Sequence, residues 1–292
     1  MEKHDVIIIG GGPAGVTAAI QLIRYGIDIL LFEKGEIGGL LRNAYLIENY
    51  PGFPDGIPGG ELVELFSQHL KKLDVPIEFR EVKYLDYHGN LFSVFIEDRE
   101  VSSKIVVIAT GTTPKELPRG ILPRDLLGKK VFYDIINLQE ISDRTIGIIG
   151  GGDAAFDYAL SLSKGNKIEI FNRKEKPRCI PVLWKRCLEN PSIRYHPNVI
   201  VDKIRKVEES IVITSSNIEF KLDYLIIAIG RKPCLPLLSP EIKENIEKLV
   251  EENRLYLIGD VVNGRKRQTA ISIGDGMRAA MEIIHLKEEG MI

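Results

Sequence analysis

The sequence predicts an α/β chain of two domains built on one plan, each with a parallel sheet, a helical layer and an antiparallel β layer. Three observations predict it. A unit of apolar strand, glycine turn and helix occurs twice, at residues 5–25 and 145–162. Each copy is followed much later by an apolar strand that closes on glycine, Lys104–Ala109 before Thr110-Gly111 and Asp223–Ile229 before Gly230. Between copy and closing strand lie runs with strand alternation and polar breaks, Ile77–Phe95 and Ile193–Lys221, broken at His88-Gly89-Asn90 and Ser215-Ser216-Asn217, which read as hairpins.

In the first copy, Asp5–Ile9 is an apolar strand and Gly10-Gly11-Gly12-Pro13-Ala14-Gly15 turns into an alanine-rich helix ending at Tyr25-Gly26. The next strand, Ile29–Phe32, delivers Glu33 and then Lys34. The second copy runs Thr145–Ile149, then Gly150-Gly151-Gly152-Asp153-Ala154-Ala155, a helix through Leu162, and the strand Lys167–Phe171, which delivers Asn172-Arg173-Lys174. The chemistry of the turn explains the residue types. Gly10 and Gly150 permit a tight reversal, Gly12 and Gly152 leave room for a pyrophosphate against the backbone, and Gly15 and Ala155 let helix and strand pack closely. Phosphates then lie at a helix N-terminus, where unpaired N–H groups and the macrodipole favour negative charge. Strand before, helix after, and the acidic Glu33 about twenty positions on are the context a dinucleotide site requires, since Glu33 can accept from ribose hydroxyls. These are two Rossmann-like dinucleotide-binding domains.

Composition narrows the class. At 292 residues the chain can bury two cores, and its 44% hydrophobic and 27% charged content is that of a globular protein. A formal net charge of −2 points away from nucleic acid and membrane surfaces. Apolar runs such as Val6–Ile9 are strand-length, too short for a bilayer, and Met1 leads into a strand without a leader, so a cytoplasmic address is expected. Cys179, Cys187 and Cys234 form neither a Cys-x-x-Cys pair nor a disulfide framework, and the five histidines have no metal-ligand spacing.

Beyond the two fingerprints the chain carries Gly38-Gly39-Leu40-Leu41, Glu48-Asn49-Tyr50-Pro51-Gly52, Ala109-Thr110-Gly111 and Leu257-Ile258-Gly259-Asp260, with Arg267-Gln268-Thr269-Ala270 opening the last helix. With these motifs, over nearly its whole length, it resembles the thioredoxin-reductase-like pyridine nucleotide flavoproteins. The resemblance implies FAD in the first domain and a nicotinamide domain inserted into it: FAD domain 1–113, nicotinamide domain 114–239, FAD domain resumed 240–292, with Pro114, Pro118, Pro233 and Pro236 at the crossings. It implies FAD contacts from Gly10, Gly12, Pro13, Ala14, Gly15, Glu33, Lys34, Gly39, Leu40, Asn49, Val82, Thr110, Gly111, Gly259, Asp260, Gln268, Thr269 and Ala270. Among these Asp260 would bond the ribityl chain, and the helix end at Gln268–Ala270 would face the flavin's pyrimidine edge with its positive pole. The nicotinamide nucleotide would meet Gly150, Gly152, Asp153, Ala154, Ala155, Asn172, Arg173, Lys174, Arg178 and Gly230. A homodimer is also implied.

The chain departs from thioredoxin reductases where they carry a Cys-x-x-Cys ahead of the second glycine turn: Gly128–Asn137 contains no cysteine. Without a sulfur pair no internal disulfide can relay two electrons. The segment is closer to thioredoxin-reductase-type ferredoxin/flavodoxin–NADP reductases, which have an aromatic there and a Gly-Gly-Gly-Asp turn like Gly150–Asp153. It differs from them at Leu40, where a polar residue is common, and in ending soon after the last helix, where they carry an extension over the flavin. The cations Arg173, Lys174, Lys176 and Arg178 suit a 2′-phosphate, so NADPH is expected ahead of NADH.

Three functions remain open on the sequence. The first is an FAD-dependent NAD(P)H oxidoreductase serving an electron carrier such as ferredoxin or flavodoxin, docked by Arg265-Lys266-Arg267. The second is a dithiol-free thioredoxin-reductase-like enzyme acting on a disulfide, a quinone or oxygen. The third is a flavin-binding protein with a vestigial nicotinamide site. No catalytic acid or base is assigned, since the cofactors carry the chemistry. Tyr45, Tyr50 and Phe53 are either neighbours of the flavin ring or loop packing.

Overall fold

The computed structural model describes residues 2–97 and 99–291. Among these, six α-helices are α1 (Pro13–Arg24), α2 (Gly59–Lys72), α3 (Asp153–Leu162), α4 (Pro181–Glu189), α5 (Pro240–Glu251) and α6 (Thr269–Glu288). The chain divides into unit 1 (Met1–Arg42, Glu48–Thr113, Lys232–Ile292) and unit 2 (Asn43–Ile47, Pro114–Arg231). The second crossing thus falls at Arg231–Lys232, ahead of residue 240, and Asn43–Ile47 clusters with unit 2. The short strands Thr112–Pro114 and Arg231–Pro233 pair where the chain crosses.

In unit 1 the strand Glu2–Ile9 is parallel to Ile29–Phe32 on one side and to Arg99–Ile108 on the other. Its last four residues are apolar and buried, as a strand covered on both faces requires. Arg99–Ile108 is long because it serves two layers: its first half pairs antiparallel with Leu91–Ile96, and its second half pairs parallel with Leu255–Leu257. Side chains alternate between two cores. Val6, Ile8, Ile29 and Leu31 meet α1 and α6 through Ala18, Leu22, Ala280 and Ile283. Ile7, Ile9, Leu30 and Phe32 meet the antiparallel strands and α5.

Helices α1 and α6 approach closely at a glycine that the sequence reading did not single out. A Cβ on Gly276 would stand 2.2 Å from the carbonyl oxygen of Ala14, so any side chain there would push α6 off the helix that opens on the first glycine turn.

Unit 2 repeats the plan. Its sheet runs Ile193–His196, Lys167–Phe171, Thr145–Ile149, Tyr224–Ile227, Val131–Phe132, all parallel. Helices α3 and α4 cover one face, and an antiparallel meander of Lys203–Val207, Ser210–Ser215 and Ile218–Leu222 covers the other. The two runs read as hairpins are therefore each divided. Ile77–Glu78 and Ile193–His196 are parallel edge strands beside Ile29–Phe32 and Lys167–Phe171, and the antiparallel pairing starts only at Tyr84 and Lys203. Alternation shows that a strand is half-buried; it does not show which neighbour it takes.

Candidate dinucleotide sites

Each unit offers a helix whose first N–H groups no side chain caps. Gly12 precedes α1 and Gly152 precedes α3, both in extended conformation. A Cβ built on either would meet no protein atom within 4 Å, so the space over both turns is open to a ligand. Gly15 is different. A Cβ there would lie 1.9 Å from the Gly10 carbonyl oxygen, which is why the turn of unit 1 needs glycine at this place. In unit 2 the equivalent residue is Ala155, fully buried against α3's own core, and Gly150 lies at φ +158° where Gly10 lies at +111°.

The residues expected around the first turn converge in part. Glu33 turns its carboxylate onto the turn, accepting from the Gly11 N–H at 2.7 Å and the Gly35 N–H at 2.8 Å. Gly38 donates to the Gly11 carbonyl at 2.8 Å, and the built Cβ of Gly39 would lie 3.8 Å from the Gly12 Cα, so the Gly38-Gly39 turn lies beside the first glycine turn. Leu40 is exposed in the short helix Gly39–Asn43, and Lys34 stands 4.0 Å from Glu81. Val82 is buried among the core residues of the antiparallel face. Thr110 donates its hydroxyl to the Cys234 carbonyl, and Gly111 accepts from the Cys234 N–H at 3.1 Å.

The far side of unit 1 is joined by Asn49, whose amide donates to the Gln268 side chain at 2.8 Å just before α6 begins at Thr269-Ala270. Asp260 accepts from Ser272 at 3.3 Å, while Gly259 N–H is tied to Asp275 at 3.2 Å. Ser272 and Asp275 lie on α6 and organise the Gly259-Asp260 turn, while Gly276 on the same helix admits Ala14 of α1. These residues fit FAD: an uncapped helix start, an open glycine cradle, an acidic residue beside it, and a second helix N-terminus across the sheet end. Tyr50 and Phe53 stack on one another at 5.9 Å between centroids. Tyr45 belongs to unit 2, packed against the α3–α4 core with the Lys164 ammonium over its ring, so loop packing accounts for it.

Around the second turn, Asp153 is engaged in the fold, accepting from the Ile180 N–H at 2.8 Å. Arg178 is brought beside the turn by its own N–H, which donates to the Gly151 carbonyl at 2.6 Å. Gly230 accepts from Lys115 N–H at 2.9 Å. Arg173, Lys174, Lys176 and Arg178 are exposed, with Ala154 on the first turn of α3. Asn172 is buried, and its amide faces its own loop rather than solvent.

A half-buried carboxyl the sequence reading passed over sits one helical turn beyond Asp153. Asp157 accepts from the Tyr45 N–H at 2.9 Å, and its pKa is pushed up to about 6, by burial first, with Asp153 adding to it against the backbone N–H groups of Tyr45 and Leu46. The folded protein holds this proton more tightly than the unfolded chain. The group's stabilising contribution is therefore full below about pH 4 and lost as pH rises through about 6. Asp157→Asn should remove that slope: between about pH 4 and 7, wild type should lose roughly 2–3 kcal/mol of unfolding free energy relative to the variant. Urea titrations at a series of pH values measure it.

The segment where a dithiol would stand contains no sulfur. Val131–Phe132 is an edge strand, Ile135 and Leu138 are buried, and Ile135 N–H donates to Asn43 at 3.1 Å. All three cysteines are free. Burial, helped by Asp153, pushes the Cys179 thiol up to about 11, and burial with Cys179 and Asp157 nearby pushes Cys187 up to about 12. Neither is a thiolate at neutral pH, so neither is a disulfide-exchange nucleophile. Among the described residues no group of three metal-ligating side chains gathers, and no helix is long and apolar enough to cross a membrane.

Comparison with known proteins identifies the family and the fold. The chain is 29% identical to the thioredoxin reductase of Bacillus subtilis (strain 168), over 98% of its own length and 95% of that protein's. The crystal structure of Lactococcus lactis thioredoxin reductase (FR conformation) superposes with a TM-score of 0.83 at 28% identity, covering 98% of this chain and 99% of that one. That of T. acidophilum thioredoxin reductase does so with the same TM-score at 26% identity and the same coverage. The family model of pyridine nucleotide-disulphide oxidoreductases matches residues 4–276. The protein belongs to the pyridine nucleotide-disulphide oxidoreductase family and, as a thioredoxin-reductase-like member, is an oxidoreductase that works with FAD and NADPH.

Proposed function

We propose that unit 1 holds FAD, unit 2 holds NADPH, and electrons leave the flavin directly for an external acceptor, a one-electron carrier protein of the ferredoxin or flavodoxin kind. The observation that carries this reading is the cysteine inventory: nothing in the Gly128–Asn137 segment can relay electrons through sulfur, and the two thiols of unit 2 are held protonated. The cofactors supply the redox chemistry, a hydride passing between nicotinamide and flavin. The chain's own part is to bind and orient. The start of α1 and Glu33 hold the adenosine half of FAD, Asp260 and the start of α6 hold its flavin half, and the loop after Asn172 reads the 2′-phosphate of NADPH. The family likeness supports a homodimer.

Arg265 and Lys266 are exposed in the turn that leads into α6, beside the Gln268–Asn49 bond. Two cations there would steer an acidic carrier to the flavin end of unit 1. Anaerobic mixing of NADPH-reduced protein with ferredoxin or flavodoxin should show rapid transfer that slows with salt. Arg265→Glu/Lys266→Glu should slow it by roughly ten- to a hundredfold at low ionic strength. If neither carrier is reduced at any ionic strength while a disulfide reagent or a quinone is, the carrier reading fails. The second reading, a dithiol-free reductase of disulfides, quinones or oxygen, then stands, and the thioredoxin reductase relatives favour it. A flavin that NADPH does not bleach would instead mean that the nicotinamide site is vestigial.

A further inference from the structure

We propose that Asn172 and Tyr195 are positioning residues that make unit 2 selective for a 2′-phosphorylated nucleotide, by clasping the basic loop 173–178 onto the second glycine turn. The proposal rests on the reading of unit 2 as the NADPH domain. Glu33 and Asn172 occupy equivalent places: Phe32 pairs with Ile9 in unit 1 as Phe171 pairs with Ile149 in unit 2, and each polar residue comes next. Both lie over the middle glycine of their turn. A Cβ on Gly11 would stand 3.2 Å from Glu33, and one on Gly151 would stand 2.6 Å from the Asn172 amide.

Their polar atoms are used differently. The Glu33 carboxylate accepts from the turn itself. The Asn172 amide turns into the following loop, where Nδ2 donates to the Lys176 carbonyl at 3.3 Å and to the Tyr195 hydroxyl at 2.8 Å, and Oδ1 accepts from Lys174 N–H at 3.3 Å. The Tyr195 hydroxyl passes its proton on to the Glu175 carbonyl at 3.0 Å. The Tyr195 ring is fixed edge-on to Trp184 at 4.9 Å and tilted against Phe156 at 6.0 Å, so the hydroxyl is anchored from the core of unit 2. At the loop's far end Arg178 N–H holds the Gly151 carbonyl.

The loop is thus held by its backbone, and the side chains of Arg173, Lys174, Lys176 and Arg178 are left exposed. Among the described residues none of the four forms an ion pair. Only a carboxamide meets both demands at position 172. A carboxylate has no hydrogen to give the Lys176 carbonyl or the tyrosine oxygen, and it would repel a phosphate dianion. Selectivity on this account comes from a pre-set loop of cations, with the residue in the ribose-reading position consumed in setting it.

The test uses two ligands without nicotinamide, adenosine 2′,5′-bisphosphate and ADP, titrated calorimetrically into the purified flavoprotein. Tyr195→Phe keeps the ring and deletes the hydroxyl. The bisphosphate affinity should fall by about tenfold while that for ADP stays within about twofold. Asn172→Asp keeps the acceptor for Lys174 N–H, removes the donors, and should narrow the preference further. Equal losses for both ligands, or no loss of the bisphosphate in either variant, would overturn the clasp. Arg173→Ala/Arg178→Ala runs in parallel. If that pair leaves bisphosphate binding intact, the loop does not read the phosphate and the NADPH reading of unit 2 falls with the clasp. If the pair weakens binding while the Tyr195 and Asn172 variants do not, the clasp alone is wrong.

Discussion

Gly12→Val is expected to give a folded but colourless protein. The position has no protein atom within 4 Å of a built Cβ and an ordinary extended backbone, so the side chain costs the apo fold little. On the function proposed above, it would occupy the space where the FAD diphosphate would meet the N–H groups of α1. Flavin content, read from visible absorbance after purification and again after soaking with FAD, should drop at least about a hundredfold in affinity terms, while the unfolding free energy moves by less than about 1 kcal/mol. Gly15→Val separates the two effects. Its Cβ meets the Gly10 carbonyl inside van der Waals contact, so that protein should lose both flavin and about 3 kcal/mol or more of stability. A yellow Gly12→Val protein with full flavin content would remove unit 1 as the FAD domain.

The second large effect is expected at the other nucleotide. Arg173→Glu/Arg178→Glu places two carboxylates where the 2′-phosphate is to bind. Charge-assisted bonds to phosphate contribute about 1.5–3 kcal/mol each, so the preference for NADPH over NADH should fall by about a hundredfold or more. Anaerobic reduction of the bound flavin, followed by its absorbance against NADPH and NADH concentration, measures the ratio without any acceptor. An unchanged ratio would mean that nucleotide choice is made elsewhere in unit 2.

Both experiments address turns that could be read directly from the chain, and there is a physical reason for that. A glycine turn between an apolar strand and a helix is a local object. Gly10 takes the positive φ of the turn and Gly15 leaves room for the Gly10 carbonyl five residues before it, while Glu33 and Asn172 follow directly on the very next strand. The doubled architecture was legible for the same reason, since burial on both faces writes itself as short apolar runs. The edge strands Ile77–Glu78 and Ile193–His196 were not separable from the hairpins after them, because their neighbours are chosen across the sheet.

Properties that need two distant segments at once came from the packing alone. Asn172 looks like a ribose ligand until Tyr195, on the next strand of the sheet, takes its amide. Asp157 looks like a surface carboxyl of α3 until the Tyr45 and Leu46 N–H groups meet it in a half-buried place. Gly276 looks dispensable in a helix until α1 lies across it. The two glycine turns and the lack of cysteine in Gly128–Asn137 were legible in the chain, because both follow from residue type and near neighbours. Which polar groups stay available to a ligand, and which are used up by the fold, depends on hydrogen bonds and burial between segments far apart in the chain, and only their packing could settle it.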